Sequence, residues 1–173
     1  QLSRVTEPSA WKSEFTYDGK FRRRIEKDFI WQSGSWVQTN ETHFVWDGNV
    51  ILQERDTNNV PQVTYTRGND LSGSLQGAGG IGGLLALTIN SQLSAPSTAW
   101  AHAYYHADGN GNITCLINTN QLIVGKYLYG PFGDTWAASG PLAGFNTMQF
   151  SSMPKHFCGL LLFLRRAYDP IPQ

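Results

Sequence analysis

The chain has 173 residues, with 13 basic and 13 acidic side chains and a formal net charge of zero at pH 7. This balance argues against general electrostatic attraction to nucleic acid or to an anionic membrane surface, and we expect no nucleic-acid partner. No segment approaches the ~18 consecutive apolar residues that span a bilayer, so we expect no membrane insertion. Aromatic residues make up 13% of the chain, which favours the half-buried surfaces of β-sheets.

The first predicted element is a hairpin whose turn contains Tyr17, Asp18 and Gly19. Asp and Gly favour tight turns because both tolerate positive φ angles. Five basic residues crowd the segment that follows: Lys20, Arg22, Arg23, Arg24 and Lys27. We interpret this run as a solvated strand face in preference to a binding patch.

A second hairpin is predicted at residues 32–35, between Trp31 and Trp36. Aromatic pairs that face each other across two strands stabilise antiparallel sheets, so we favour packing between these two side chains. The chain has six tryptophans, including Trp100. A second interpretation therefore stays open, in which Trp31 and Trp36 contact surface glycans.

The pattern of an aromatic residue followed by a turn returns at Trp46, Asp47 and Gly48. Polar turns are also predicted at residues 56–59 and 118–120. Side chains between the turns alternate with the two-residue period of strands. The predicted faces contain Val63, Tyr65 and Arg67 on one strand, and Ile113, Cys115 and Ile117 on another. The chain is therefore predicted to be all-β, with serial antiparallel hairpins forming a curved sheet.

Residues 71–99 are predicted to be a Gly-rich insertion. Its glycines have the spacing of a dinucleotide-binding loop: Gly77, Gly79, Gly80, Gly82 and Gly83. Such a loop needs a preceding parallel strand, a following helix and an acidic residue about twenty positions later. No acidic residue occurs between 71 and 107. We expect no cofactor, and interpret the glycines as places where the backbone passes close to a packed sheet, with residues 84–87 filling the interior.

His102 and His106 are four residues apart and would share one face of a strand. Strand geometry separates them by roughly 13 Å, which is too far for both to bind one zinc ion. We predict no metal site. Cys115, which lies among apolar residues, is interpreted as a small buried thiol, and a single bridge between Cys115 and Cys158 is left open.

Three further turn motifs complete the series: Asp108, Gly109 and Gly111; Tyr129, Gly130, Pro131, Phe132 and Gly133; and Arg166, Tyr168, Asp169 and Pro170. No nucleophile with its supporting base stands out, and the second half of the chain has few acidic residues. We therefore predict that the chain is not an enzyme.

In order from about residue 15 to 170, these motifs resemble the RHS repeat-associated core, a family built of tyrosine-aspartate (YD) repeats. Residues 64–86 are similar to a long core signature with Leu-Ser-Gly and Gly-Ala-Gly-Gly elements. Residues 159–170 are similar to its closing Tyr-Asp-Pro element. The predicted regions are YD hairpins at 1–70, the insertion at 71–99, and core hairpins with a degenerate end at 100–173.

The resemblance implies a large β-sheet shell, secreted or on the cell surface, that encloses or presents a C-terminal effector or toxin. The implied partners are the remainder of the shell and the effector polypeptide. Some members end in an aspartate-dependent self-cleaving segment, whose later motifs are missing here. We therefore expect a truncated, structural fragment of such a protein. A carbohydrate-binding or adhesion module and a self-processing fragment are the alternatives.

Overall fold

The computed structural model describes residues 2–90 and 101–171. Its main feature is an antiparallel sheet of eleven strands, in which each strand pairs with the next one along the chain. The strands are β1 Arg4–Glu7, β2 Trp11–Tyr17, β3 Arg23–Gln32, β4 Ser35–Asp47, β5 Val50–Arg55, β6 Pro61–Arg67, β7 Leu84–Ile89, β8 His102–Ala107, β9 Ile113–Asn118, β10 Ile123–Tyr129 and β11 Thr135–Ser139. The predicted all-β fold of serial hairpins is confirmed.

The chain continues after β11 with a 3₁₀ turn at Phe150–Ser152 and a small two-stranded sheet. The strands of this second sheet are β12 Leu161–Leu162 and β13 Ala167–Tyr168. The part of the chain that the structure describes contains no helix long and apolar enough to cross a membrane.

Among the described residues, four hairpins close with the same five-residue turn, in which a side chain caps the backbone. The backbone of its first residue pairs with the fourth and fifth residues, and the fourth has a positive φ. The side chain of the first residue accepts hydrogen bonds from the backbone N–H groups of the third and fifth. That first residue is Asp18, Asp56, Asp108 or Asn118. The aspartate of the first YD motif is therefore a turn cap, and the turns predicted at 56–59 and 118–120 are confirmed.

Removal of one such cap is expected to be measurable. Asp56→Ala leaves the N–H groups of Asn58 and Val60 without their carboxylate acceptor, at a cost of about 1–2 kcal/mol in unfolding free energy. Asp56→Asn keeps an acceptor oxygen, as Asn118 does in its own turn, so it is expected to cost about half as much or less. Urea denaturation of the two variants checks this order, and equal losses would contradict it.

The hairpin predicted between Trp31 and Trp36 is present, and its turn has two residues. Ser33 and Gly34 have φ angles of 51° and 81°, which match the twist of the flanking strands. Trp31 and Trp36 lie directly opposite each other in the register of β3 and β4. Their ring centroids are 5.0 Å apart in an edge-to-face arrangement. The predicted cross-strand pair is confirmed.

One face of the sheet carries the core. Val63 and Tyr65 are buried on it, as predicted. The predicted face of β9 is wrong, because Leu116 is fully buried whereas Cys115 is only partly covered. The pairing of β9 with β8 shifts register at its first residues, and such a bulge reverses the alternation beyond it.

Residues 84–87, predicted to fill the interior as part of the insertion, instead belong to strand β7. Leu84 and Leu87 face the core, while Leu85 is exposed. The core is instead covered by residues 140–171, here called the return segment. Its buried apolar side chains are Leu142, Ala143, Met148 and Leu161. The division of the chain at 71 and 99 stays a prediction.

The return segment runs back across the sheet. Leu142 donates its N–H to the Val124 carbonyl on β10. Farther along, Lys155 Nζ donates to Thr135 Oγ1 on β11 at 2.7 Å, while the next residue, His156, lies 3.0 Å from Ser13 Oγ on β2. In a flat sheet, β2 and β11 would be nine strand spacings apart, roughly 43 Å. Two neighbouring side chains can reach both strands only because the sheet is strongly curved.

Candidate functional site

The aromatic residues of the repeat motifs anchor each hairpin to a neighbouring piece of backbone. Tyr17 Oη donates to the Leu2 carbonyl, and Trp46 Nε1 donates to the Arg23 carbonyl, both at 2.7 Å. Tyr129 donates in the same way to Ile113 at 2.7 Å, and Tyr168 to Phe132 at 2.9 Å. Tyr17 and Trp46 line one small cavity together with Arg166, whereas Tyr129 lies elsewhere on the sheet, on β10.

The Gly-rich loop is occupied by a side chain of the protein itself. The Asp70 carboxylate accepts hydrogen bonds from Ser72 and from the N–H groups of Ala78 and Gly80, at 2.6–3.0 Å. Burial alone would raise the pKa of Asp70, but these bonds outweigh it and lower the pKa to about 2. Two of the amides that a phosphate would need are therefore already bound.

Close packing explains one of the glycines in this loop. Gly80 has a φ of 83°, and a Cβ atom at this position would lie 2.4 Å from Val50 Cγ1. No side chain fits there unless Val50 moves. Residues 91–100, which include Trp100 and the end of the predicted insertion, lie outside the described residues.

A cluster of polar side chains lies where the return segment meets the start of the sheet. Glu26 and Asp28 project from the same face of β3, and Asp28 is opposite Ser13 of β2. Asp28 Oδ1 accepts a hydrogen bond from Ser13 Oγ at 2.6 Å. His156 Nε2 completes the cluster, 3.0 Å from Ser13 Oγ, 3.5 Å from Glu26 Oε1 and 4.0 Å from Asp28 Oδ1.

Burial controls the protonation of this cluster. It raises the pKa of Glu26 to about 7, with the Arg23 cation opposing the shift and the Asp28 and Glu54 carboxylates adding to it. Burial also lowers the pKa of His156 to about 4, against the attraction of Asp28. The imidazole is therefore neutral at pH 7.

Arg23 lies at the border of the cluster, between Glu26 and Phe44. Its guanidinium lies 2.8 Å from Glu26 Oε2 and 4.2 Å from the centre of the Phe44 ring, and the residue is 7% exposed. The prediction that the basic run is a solvated strand face is wrong for this residue. The hydrophobic contact and the buried carboxylate hold Arg23 on the inner face, which a count of local charges cannot indicate.

The second ring nitrogen of His156 faces a thiol. Nδ1 lies 2.8 Å from Cys158 Sγ, in the place where a catalytic triad has a carboxylate. Burial raises the pKa of both Cys158 and Cys115, which keeps the sulfurs as thiols. Both cysteines are free, and the bridge left open by the sequence is not formed.

Among the described residues, Glu26, Asp28 and His156 are the one group of three acidic, histidine or cysteine side chains close enough together to hold a metal ion. Local sequence patterns do not indicate this group, because Glu26 and Asp28 lie far from His156 in the chain. The sequence feature that indicates part of it is the spacing of Glu26 and Asp28, which are two residues apart and so share one face of a strand. His102 and His106 are exposed on β8 and contribute nothing to the cluster.

The two tryptophans proposed for glycan contact pack against each other in an edge-to-face arrangement. Lys12 Nζ lies 5.4 Å from the centre of the Trp36 ring. Trp31 is 38% exposed. Contact with glycans stays a prediction.

No family model and no curated protein matches the chain. Several solved structures do match it. The crystal structures of TcdB2-TccC3 and TcdB2-TccC3-Cdc42 align with TM-scores of 0.65 and 0.67, each at 14% identity over 98% of this chain and 8% of the matched chain. The Photorhabdus luminescens Tc holotoxin pore aligns with a TM-score of 0.65 and the same identity and coverage.

The chain has the fold of an RHS-repeat sheet. The resemblance found in the sequence is thereby confirmed at the level of the fold, which is what a likeness at 14% identity shows. The chain spans about 8% of the length of the TcdB2-TccC3 chain.

Proposed function

We propose that the chain is a segment of the wall of an RHS-type shell that encloses or presents a C-terminal effector. The observation that carries this proposal is the open, curved sheet of eleven serial strands. Among the described strands, β1 and β11 each have one neighbour. A strand with one free edge offers unpaired N–H and C=O groups to a further strand. Repeat proteins grow by this kind of stacking.

The fold comparison supports the same proposal. The matched chains are many times longer than this one, and they come from structures of TcdB2-TccC3 and of a Tc holotoxin pore. By analogy, the partners of the chain are the rest of its own shell and an enclosed effector polypeptide, in a secreted or cell-surface protein. We assign the chain no catalytic step, because its buried polar cluster fixes the return segment to the sheet.

The free edges predict association of the isolated chain. We expect its weight-average mass to rise with concentration in sedimentation velocity experiments. A variant with a lysine on each edge strand, Val5→Lys with Ala137→Lys, is expected to weaken this association by about tenfold or more, because charged edges disfavour strand pairing. The matched control, Thr66→Lys with Tyr104→Lys, adds the same charge to exposed positions on the central strands β6 and β8.

The control pair is expected to associate as the unmodified chain does. A chain that stays monomeric at every concentration would contradict the edge argument. The wall proposal itself is tested by the reading frame on either side of this sequence. Further YD repeats before it and a variable domain after it are expected, and their absence on both sides would overturn the proposal.

A further inference from the structure

The cluster of Glu26, Asp28 and His156 has the dimensions of a small metal site. Its three ligand atoms lie within 4.8 Å of one another. His156 Nε2 is 3.5 Å from Glu26 Oε1 and 4.0 Å from Asp28 Oδ1. Two ligands bound at about 2.0 Å to a tetrahedral zinc ion lie roughly 3.3 Å apart. Small side-chain rotations therefore suffice to close the three atoms around an ion.

We infer that Glu26, Asp28 and His156 form a binding site for a divalent transition metal, best matched by Zn²⁺. One imidazole nitrogen and two carboxylate oxygens suit zinc, whereas Mg²⁺ and Ca²⁺ prefer ligand sets made of oxygen alone. Ser13 Oγ lies within hydrogen-bonding distance of both His156 and Asp28. It marks the position of a fourth ligand, where zinc sites commonly hold an oxygen atom.

The surroundings of the three ligands favour the same assignment. His156 Nδ1 accepts the Cys158 backbone N–H at 3.3 Å and lies 2.8 Å from Cys158 Sγ, which holds the ring with Nε2 toward the carboxylates. A zinc ion would replace the proton that Nε2 donates to Ser13 Oγ. Arg23 holds Glu26 through Oε2, so that Oε1 remains directed at His156.

The ligands come from two distant parts of the chain. Glu26 and Asp28 belong to β3, and His156 belongs to the return segment. A bound ion therefore joins the return segment to the sheet directly. This inference needs neither a shell partner nor an effector, and it stands or falls separately from the proposed function.

Titration of the EDTA-treated and dialysed chain with ZnCl₂ tests the site. We expect one ion per chain, with a micromolar or tighter dissociation constant by calorimetry, and at least about 100-fold weaker binding of MgCl₂. At about 100-fold excess over the dissociation constant, Zn²⁺ is expected to raise the melting temperature by about 5 °C. No saturable zinc binding would overturn the inference.

Variants locate the ion. Glu26→Gln and His156→Gln are each expected to weaken zinc binding by at least about tenfold. The control is His43→Gln, which removes another histidine beside a carboxylate, Glu41; we expect its affinity to stay within about twofold. Circular dichroism in EDTA identifies any variant that fails to fold, and Glu26→Gln, which keeps the shape of the side chain, decides in that case. Equal binding by Glu26→Gln and the unmodified chain would place the ion elsewhere.

Discussion

In EDTA, Glu26→Gln is expected to make the stability of the chain fall by about 3 kcal/mol as the pH is lowered from 6.5 to 4. The unmodified chain is expected to change little over most of this range. The reason lies in the contact between Glu26 and His156, whose ligand atoms are 3.5 Å apart. Burial shifts the pKa values of these two groups in opposite directions.

The proton balance follows from the four pKa values. In the unfolded chain, Glu26 titrates near 4.5 and His156 near 6.5, whereas in the folded chain they titrate near 7 and near 4. Between pH 4.5 and 6.5 the pair therefore holds one proton in either state, although on different residues. Stability depends on pH only where the two states bind different numbers of protons. The two shifts cancel in this range.

When either Glu26 or His156 is replaced, the pKa shift of the remaining group is no longer cancelled and appears in the pH dependence of stability. In Glu26→Gln, His156 binds a proton below about pH 6.5 in the unfolded chain but only below about pH 4 in the folded chain. Acidification therefore favours the unfolded chain, and stability falls. His156→Gln should do the opposite. The raised pKa of Glu26 makes stability fall as pH rises from 4.5 to 7, again by about 3 kcal/mol.

Urea denaturation at several pH values between 4 and 7.5 measures both slopes. The charged groups that face the pair, Arg23, Asp28 and Glu54, are unchanged in the two variants. Opposite slopes in Glu26→Gln and His156→Gln are the expected signature. If stability changes with pH in the same way in both variants, the pKa values of Glu26 and His156 are not shifted in opposite directions, and the prediction is wrong.

The second large effect concerns the packing of β9 against β10. Leu116 is fully buried, and a Cβ atom at Gly125 would lie 2.7 Å from Leu116 Cδ1. Leu116→Ala is expected to cost about 3–4 kcal/mol through the cavity it leaves. Gly125→Ala is expected to cost about 1–3 kcal/mol, because the added methyl overlaps the leucine.

The double variant separates packing from other effects. In Leu116→Ala with Gly125→Ala, the new methyl occupies space that the leucine vacated, so the combined loss should fall short of the sum by about 1 kcal/mol or more. Leu128→Ala, on the same strand β10 but 57% exposed, serves as the control and should cost less than about 1 kcal/mol. Strictly additive losses in the double variant would disprove the contact.

Those features of the fold that depend on neighbouring residues could be predicted from the sequence. The turn at Asp108 and the pairing of Trp31 with Trp36 follow from turn chemistry and from residues close in the chain. The face of β9 was mispredicted because a bulge depends on the partner strand, and a bulge of one residue reverses every side chain beyond it.

The candidate site depended on contacts that no local pattern encodes. The burial of Arg23 requires Phe44 beneath it and Glu26 beside it. His156 reaches Ser13 on β2 only because the whole sheet is curved.

The return segment also sets an order of events during synthesis. The hairpins of the sheet join neighbouring residues, and contacts of this kind form quickly and as the chain emerges. The contact between Ser13 and His156 spans 143 residues, and it cannot form until His156 has left the ribosome. We therefore expect the face of the sheet that carries the core to stay uncovered until the return segment has been translated.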